Sequence, residues 1–317
     1  MTTTLTARGP EDLLAAVPVV LGFHPADSLV MLTFGAERTF HARLDLPESP
    51  DDEGIGEAVD ALLAPCRSHA VDHVAFVVYT DDGDLAAAFA AALVPAFVAD
   101  GIGVVDVLRA DGGCWCTVPI RAGAEESSPV PYDDRHHPFN AQAVFEGHVT
   151  LASRDEVRST IAVDPVLRRR WEDLLVDLPS PGPEDVVRVR DLVAGWVASG
   201  DGPDDAGAAL VLRAITRVDV RDAALYAVAR DTARGHLRVW SALLRGAPDR
   251  QAAEVAVVAA FCAWQSGHGA LAWCALDRCF VIDPEHRLGR CLAECLVRAV
   301  PPTTWQEVGE ERASGAG

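Results

Sequence analysis

Lysine is absent from this chain of 317 residues, and all 27 basic side chains are arginine. They face 47 acidic residues, for a net charge of −20. Such a chain repels phosphate backbones, which argues against broad nucleic-acid binding unless arginine is locally concentrated. The one local concentration, Arg168-Arg169-Arg170, is short and reads as a solvated helix face. Long apolar runs are also lacking. The longest, Leu85–Ala99, contains Pro95 and is too short to span a bilayer comfortably. Met1–Pro10 has neither a charged start nor an apolar run, so no secretory signal is read there. The eight cysteines are therefore expected as reduced thiols of a cytoplasmic protein. No Walker motif, dinucleotide fingerprint, nucleophile elbow or zincin helix is present, and no cofactor is expected.

What is present divides the chain into two building styles. Pro10-Glu11-Asp12 opens a helix, with proline in its first turn and acids at its positive end. Pro18 is expected to stop it. After the turn-rich loop Gly22–Ser28, Leu29–Phe34 is an apolar run of strand length. Gly35-Ala36-Glu37 joins it to Thr39–Leu46, which alternates and predicts a β-hairpin. Phe40, Ala42, Leu44 and Leu46 lie on one face of that strand, His41, Arg43 and Asp45 on the other. Asp51–Ala70 and Asp84–Asp100 read as helices. Val74–Tyr79 and Gly103–Leu108 read as parallel strands of a right-handed β-α-β unit. Cys114–Ile120 adds a last strand. The expectation is an α/β domain over residues 1–135, with a mixed sheet of about five strands, ending in an Arg121–Pro138 linker rich in Gly, Ser, Pro and charge.

Residues 136–317 read as all helix. Asn140–Glu146 is the first helix, and Ser153 with Glu156 suggests a capping box for the next. Asp164–Val176 and Glu184–Ala198 follow, separated by Ser180-Pro181-Gly182-Pro183. Beyond Ser199–Pro203, divisions are expected near Val218, Gly235, Ala247-Pro248, Gly267 and Asp283-Pro284. In Pro248–Pro284, the positions of Gly267, Ala272, Leu276, Cys279 and Pro284 resemble those of a tetratricopeptide repeat. Ala256 stands where such a repeat usually has tryptophan. The second domain is thus expected to be tetratricopeptide-like, most clearly over residues 249–299.

Three separated motifs also resemble the actinobacterial domain-of-unknown-function 4192 family. They are Leu14–Pro18 running into Leu21–Val30, then Arg43-Leu44-Asp45-Leu46-Pro47, and finally Ala263–Gly267 with Gly269–Ala272 and Asp283-Pro284. Pro301-Pro302 and Trp305 fit the tail. The family's middle segment often carries aromatic and cysteine residues, whereas this chain has only Cys114-Trp115-Cys116 before an acidic loop. The resemblance implies architecture and no biochemical activity.

Candidate sites cluster in a few places. In the Gly22–Ser28 loop, His24 could act as base or ligand, Asp27 could orient it, and Ser28 could be nucleophile or donor. Gly22 and Phe23, with Arg43 and Asp45 on the strand, are the matching ligand-binding candidates. The same loop also reads as plain turn chemistry, with His24-Pro25 fixing the entry into the strand. Cys114 and Cys116 with His136 and His137 form a four-ligand set on paper, but the cysteine spacing is wrong for a zinc ribbon. Cys274, Cys279, Cys291 and Cys295 sit among Leu, Ala and Val and read as small apolar filler, so no metal is expected. Trp240, Trp264 and His268 are the partner-binding candidates, although tryptophans at helical spacing also suit a core.

Two functions follow from these readings. The first is a non-enzymatic interaction or regulatory protein, binding another protein or peptide through a groove of stacked helix pairs. The second is a hydrolase-like enzyme or small-molecule sensor, with its site at Gly22–Ser28 near His41, Arg43 and Asp45. A homodimer through an exposed apolar helix face is a further option. The enzyme reading requires His24, Asp27, Ser28 and Arg43 to converge.

Overall fold

The computed structural model describes residues 7–36, 39–47, 51–120, 126–145 and 149–305. Two compact units divide between Arg154 and Asp155. The first is built on a six-stranded mixed sheet, the second on helices alone.

The sheet comprises β1 (Ser28–Phe34), β2 (His41–Asp45), β3 (His73–Tyr79), β4 (Gly103–Asp111), β5 (Cys114–Thr117) and β6 (Val130–Pro131). Their spatial order is β2-β1-β3-β4-β5-β6. Only β3 and β4 run parallel, and every other neighbouring pair is antiparallel. The expected hairpin and β-α-β unit are both present. One face carries α2 (Asp52–Ser68) and α3 (Gly83–Ala99), whose Ile55, Leu62, Phe89, Leu93 and Phe97 close over Leu29, Met31, Phe76 and Val78. The other carries α1 (Pro10–Leu21), whose Leu13, Leu14 and Val17 pack on Val30, Leu32, Ala75 and Val77. With both faces covered, β1 and β3 are buried almost end to end, which is why they read as unbroken apolar runs.

Three expectations are corrected here. Pro18 does not stop α1, which continues to Leu21 and ends at Gly22 with φ +80°. Proline forfeits one backbone hydrogen bond, but Pro18 is buried in the packed face of the helix, and tertiary packing overrides the local cost. Pro65 and Pro95 likewise sit inside α2 and α3. The sheet has a sixth strand, and it lies within the stretch expected to be linker. Its two residues pair Trp115 with Val130 and Cys114 with Pro131, and proline is tolerated because the strand is at the edge. β5 is shorter than expected, although Val118 N–H still bonds the Val107 carbonyl at 2.8 Å. Beyond the sheet, Leu151 forms an isolated parallel bridge with Phe23. The hairpin turn through Glu37 and the end of the helix at Glu146 lie outside the described residues.

After α4 (Pro138–Phe145), nine helices follow among the described residues. They are α5 (Arg154–Ser159), α6 (Pro165–Val176), α7 (Asp185–Ser199), α8 (Asp205–Ala214), α9 (Val218–Tyr226), α10 (Ala233–Gly246), α11 (Asp249–Gln265), α12 (Gly269–Ile282) and α13 (Arg287–Val297). α6, α7 and α8 start where the sequence predicts, and the side chains of Asp164 and Asp204 cap α6 and α8. Gly235 does not divide helices. It lies inside α10, where a Cβ would meet Val197 Cγ1 of α7 at 2.8 Å, so the glycine serves close helix packing. The division falls instead at Ala227–Thr232. α11 and α12 pack closely, turning at Gly267 with φ +81°. Ala260, Ala263, Ala272, Leu276 and Cys279 are wholly buried in this pair. No described helix is long and apolar enough to cross a membrane.

Candidate functional site

The sheet register assembles a row of side chains. Asp45, Ser28, Tyr79, Ala110, Trp115 and Val130 are successive partners across all six strands. The row lies at the carboxyl ends of the parallel pair β3 and β4, the part of an open sheet where ligands most often bind. The Gly22–Ser28 loop reaches it because α1 ends in a left-handed glycine. Gly22 N–H bonds the Pro18 carbonyl at 2.9 Å and the chain reverses. His24 N–H then bonds Leu151 O at 3.0 Å, and Leu151 N–H bonds Gly22 O at 2.9 Å. These bonds fix Phe23 in the interior and hold His24 at the rim.

His24 finds its carboxylate in an unexpected place. Its Nδ1 lies 3.1 Å from Asp134 Oδ2, with the Asp134 side chain 18% exposed. Asp134 is anchored in turn, since its carbonyl accepts bonds from His137 N–H and from the Asn140 side chain. His137 Nε2 meets Asp12 Oδ1 at 3.0 Å, which ties this segment to α1. Tyr79 and Tyr132 lie within reach of the Asp134 charge. Burial, reinforced by Tyr132 and the Asp134 charge, pushes the Tyr79 phenol well above its ordinary range. Burial, with Asp134, Asp111 and Cys114, pushes Tyr132 up to about 12. Both phenols are neutral donors near pH 7.

Ser28, Arg43 and Asp45 also come together, one step along the rim. Ser28 is 0% exposed; its hydroxyl donates to Ala26 O at 2.5 Å and accepts from Arg43 Nε at 2.9 Å. Arg43 Nη2 meets Asp45 Oδ1 at 2.6 Å, and Arg154 Nη1 meets Asp45 Oδ2 at 3.3 Å. The Arg43 guanidinium lies 5.9 Å from the centroid of Phe23. Asp27 is exposed in a left-handed conformation, φ 45°, and its carbonyl accepts the Leu46 N–H at 2.9 Å. His41 is separate from both groups. Its Nδ1 is buried without a partner, and burial lowers its pKa to about 4.

The arrangement is therefore a pair of adjoining clusters, with His24 bonded to Asp134 and Ser28 to Arg43. Ser28's proton is committed to a backbone carbonyl, and the side chain is sealed from solvent, so it is not poised as a nucleophile. His24 with Asp134 has the form of an oriented imidazole that could exchange a proton or a hydrogen bond with a bound molecule. Asp134, Tyr79, Tyr132 and Arg154 are the residues that sequence reasoning missed. Asp134 stands 110 positions from His24 in a stretch rich in proline and charge, where no periodicity marks it. The signal that could have found Tyr79 was its place at the end of the first parallel strand.

The remaining candidates separate. His136 bonds Asp133 at 2.7 Å and His137 bonds Asp12, so neither joins Cys114 and Cys116. Cys116 Sγ instead donates to Glu126 Oε1 at 2.9 Å, beside Arg109. Among the described residues, no three His, Cys, Asp or Glu side chains gather as a metal site. Trp240 is 0% exposed and offers no surface to a partner. Trp264 is buried, with its Nε1–H donating to Val300 O at 3.1 Å. His268 is half-buried at the α11–α12 turn, its Nδ1 3.1 Å from Ser266 Oγ. Neither a curated protein nor a solved structure matches the chain. Residues 10–303 match the domain of unknown function DUF4192, and the chain belongs to that family.

Proposed function

We propose that the N-terminal unit binds a small polar molecule beside His24 and Asp134 and that the chain acts as a sensor rather than a hydrolase. The observation that carries this reading is the His24–Asp134 pair at 3.1 Å, whose carboxylate charge reaches the phenols of Tyr132 and of Tyr79 at the end of β3. Those groups can give and accept several hydrogen bonds in a partly desolvated place, as binding sites require. The sealed hydroxyl of Ser28 argues against acyl transfer through it. The test is a thermal-shift screen of the full chain against a library of small metabolites. A stabilising compound should lose its effect in His24→Ala and Asp134→Ala variants that keep their circular dichroism. If no class of compound stabilises the chain, or if hits persist in both variants, the reading fails.

A second reading keeps the helical unit as a tetratricopeptide-like element for a protein or peptide partner. It is favoured by the α11–α12 pair, where buried Ala272 and Cys279 stand at the small-residue positions of such a repeat and buried Leu276 at an apolar one. The surface involved would be other than Trp240, for example around His268. Capture of a specific protein by the full chain, lost when residues 183–305 are removed, tests it.

A further inference from the structure

The chain's own segment after α13 lies on the helical unit as a bound peptide would, and the inference drawn from it rests on the peptide-binding reading of that unit. Beyond α13 the backbone turns at Ala299, whose φ of 51° is left-handed although the residue carries a Cβ. Val300 N–H closes the helix end on Cys295 O at 2.8 Å. Pro301 and Pro302 then open a tight turn, with Thr304 N–H on Pro301 O at 3.0 Å and Trp305 N–H on Pro302 O at 3.2 Å. The turn brings Trp305 against α9 and α11. Its ring stacks on Tyr226 and stands edge-on to Phe261, with centroids 5.4 and 4.9 Å away. Phe261 is edge-on in turn to Trp264, at 5.7 Å.

The polar contacts converge on the same six residues. Trp264 Nε1–H donates to Val300 O at 3.1 Å, and Gln265 Nε2 donates to Pro302 O at 3.3 Å. Both donors are buried, so each needs an acceptor, and the segment supplies it. These bonds read main-chain carbonyls, while a single indole ring anchors the turn. A free peptide with the same turn offers identical groups. Its two prolines restrict the unbound states and lower the cost of ordering it. The seat is open on one side, since Tyr226 is 52% exposed and Trp305 only half-buried. It also unites two stretches that the sequence singles out separately, Ala263–Gly267 and Pro301-Pro302 with Trp305. The left-handed link at Ala299 works against the tethered segment, whereas the short tether gives it an effective concentration on the order of millimolar.

We propose that the face of α9 and α11 recognises peptides of the form Pro-Pro-x-x-Trp, and that residues 300–305 occupy it as a resident ligand which a partner's segment displaces. The test titrates a fluorescein-labelled peptide of residues 300–305 into the full chain and into its Trp305→Ala variant, read by anisotropy. Saturable binding is expected to Trp305→Ala, and about tenfold weaker binding to the parent, whose seat is filled. The peptide should also raise the unfolding midpoint of Trp305→Ala. A peptide carrying alanine in place of its tryptophan should bind about tenfold more weakly. Adding Tyr226→Ala to Trp305→Ala should cost about fivefold. If Trp305→Ala loses its helical circular dichroism, Trp305→Phe, which keeps a ring, takes its place in the comparison. No saturable binding to the folded variant, or equal binding by the parent, would reduce the segment to a structural closure and overturn the proposal. So would a parent that dimerises in sedimentation velocity and loses the dimer in the variant, because the segment would then serve a second copy. The wider reading fails differently: the full chain then captures no protein whose binding depends on residues 183–305.

Discussion

Single side chains set the tolerance of the fold at several points, and two glycines show it with opposite signs. Gly195 lies inside α7, and a Cβ added there meets nothing within 4 Å. Gly195→Ala should therefore stabilise the helix by about 1 kcal/mol, through the backbone entropy that glycine otherwise loses. Gly235 lies inside α10 with Val197 Cγ1 2.8 Å from the same added atom. Valine is stiff about χ1 and cannot swing clear. Gly235→Ala should cost roughly 1–3 kcal/mol by overpacking. Urea unfolding of both variants checks the pair, and equal effects would remove the packing explanation for Gly235. The imidazole of His41 makes a second residue-scale prediction. Its folded pKa is about 4, below the unfolded value of about 6.5. A depressed pKa means the unfolded chain takes up the proton first. The stability contributed is present above pH 6.5 and is lost as pH falls from 6.5 towards 4, by up to about 3 kcal/mol. His41→Leu should flatten that part of the pH profile, measured by denaturant midpoints at pH 7 and pH 5.

At the scale of elements, legibility in the sequence followed the strength of the local pattern. β1 and β3 were plain because both faces are covered, and β2 because one face alternates. α11 and α12 were plain because Gly267 marks their turn. Pro18 and Gly235 misled because each obeys a tertiary contact, one buried in the helix face that packs on the sheet and the other beside Val197. β6 was invisible because a two-residue edge strand has no period to detect. The same limit explains the site. Ser28, Arg43 and Asp45 could be placed together from alternation and pairing, but His24–Asp134 joins a loop to a loop, and only the folded chain defines that distance. The cysteines allow a check at this scale. Cys279 is buried in α12, and burial, with Asp283 and Glu254, pushes its thiol up to about 12. Cys262 is buried in α11 and shifted upward by the same desolvation. Cys291 is exposed on α13. Iodoacetamide at pH 8 should label Cys291 first and leave Cys262 and Cys279 untouched until denaturant is added, as peptide mass mapping would reveal. Prompt labelling of Cys279 would contradict the packed α12 face.

For the molecule as a whole, two compact units with separate cores imply two unfolding transitions rather than one. Each core has its own dependence. The sheet unit carries His41, half-buried with its Nδ1 shut off from solvent, so lowering the pH to 5 should depress its transition. The helical unit is closed by the segment after α13. Val300 O accepts from Trp264 Nε1–H at 3.1 Å, and Pro302 O accepts from the Gln265 side chain at 3.3 Å. The Trp305 ring stands edge-on to Phe261, with centroids 4.9 Å apart, and stacks on Tyr226 at 5.4 Å. Loss of the Trp305 side chain removes two ring contacts and the apolar area they cover, about 2–4 kcal/mol. Trp305→Ala should lower the helical transition and leave the sheet transition in place. Pulsed alkylation along a urea series separates the two, with Cys66 reporting α2 and Cys262 reporting α11. The expected result is earlier exposure of Cys262 in Trp305→Ala and of Cys66 at pH 5. Were both thiols to become reactive together under either change, the chain would unfold as one cooperative body, and assigning these contacts to separate cores would be wrong.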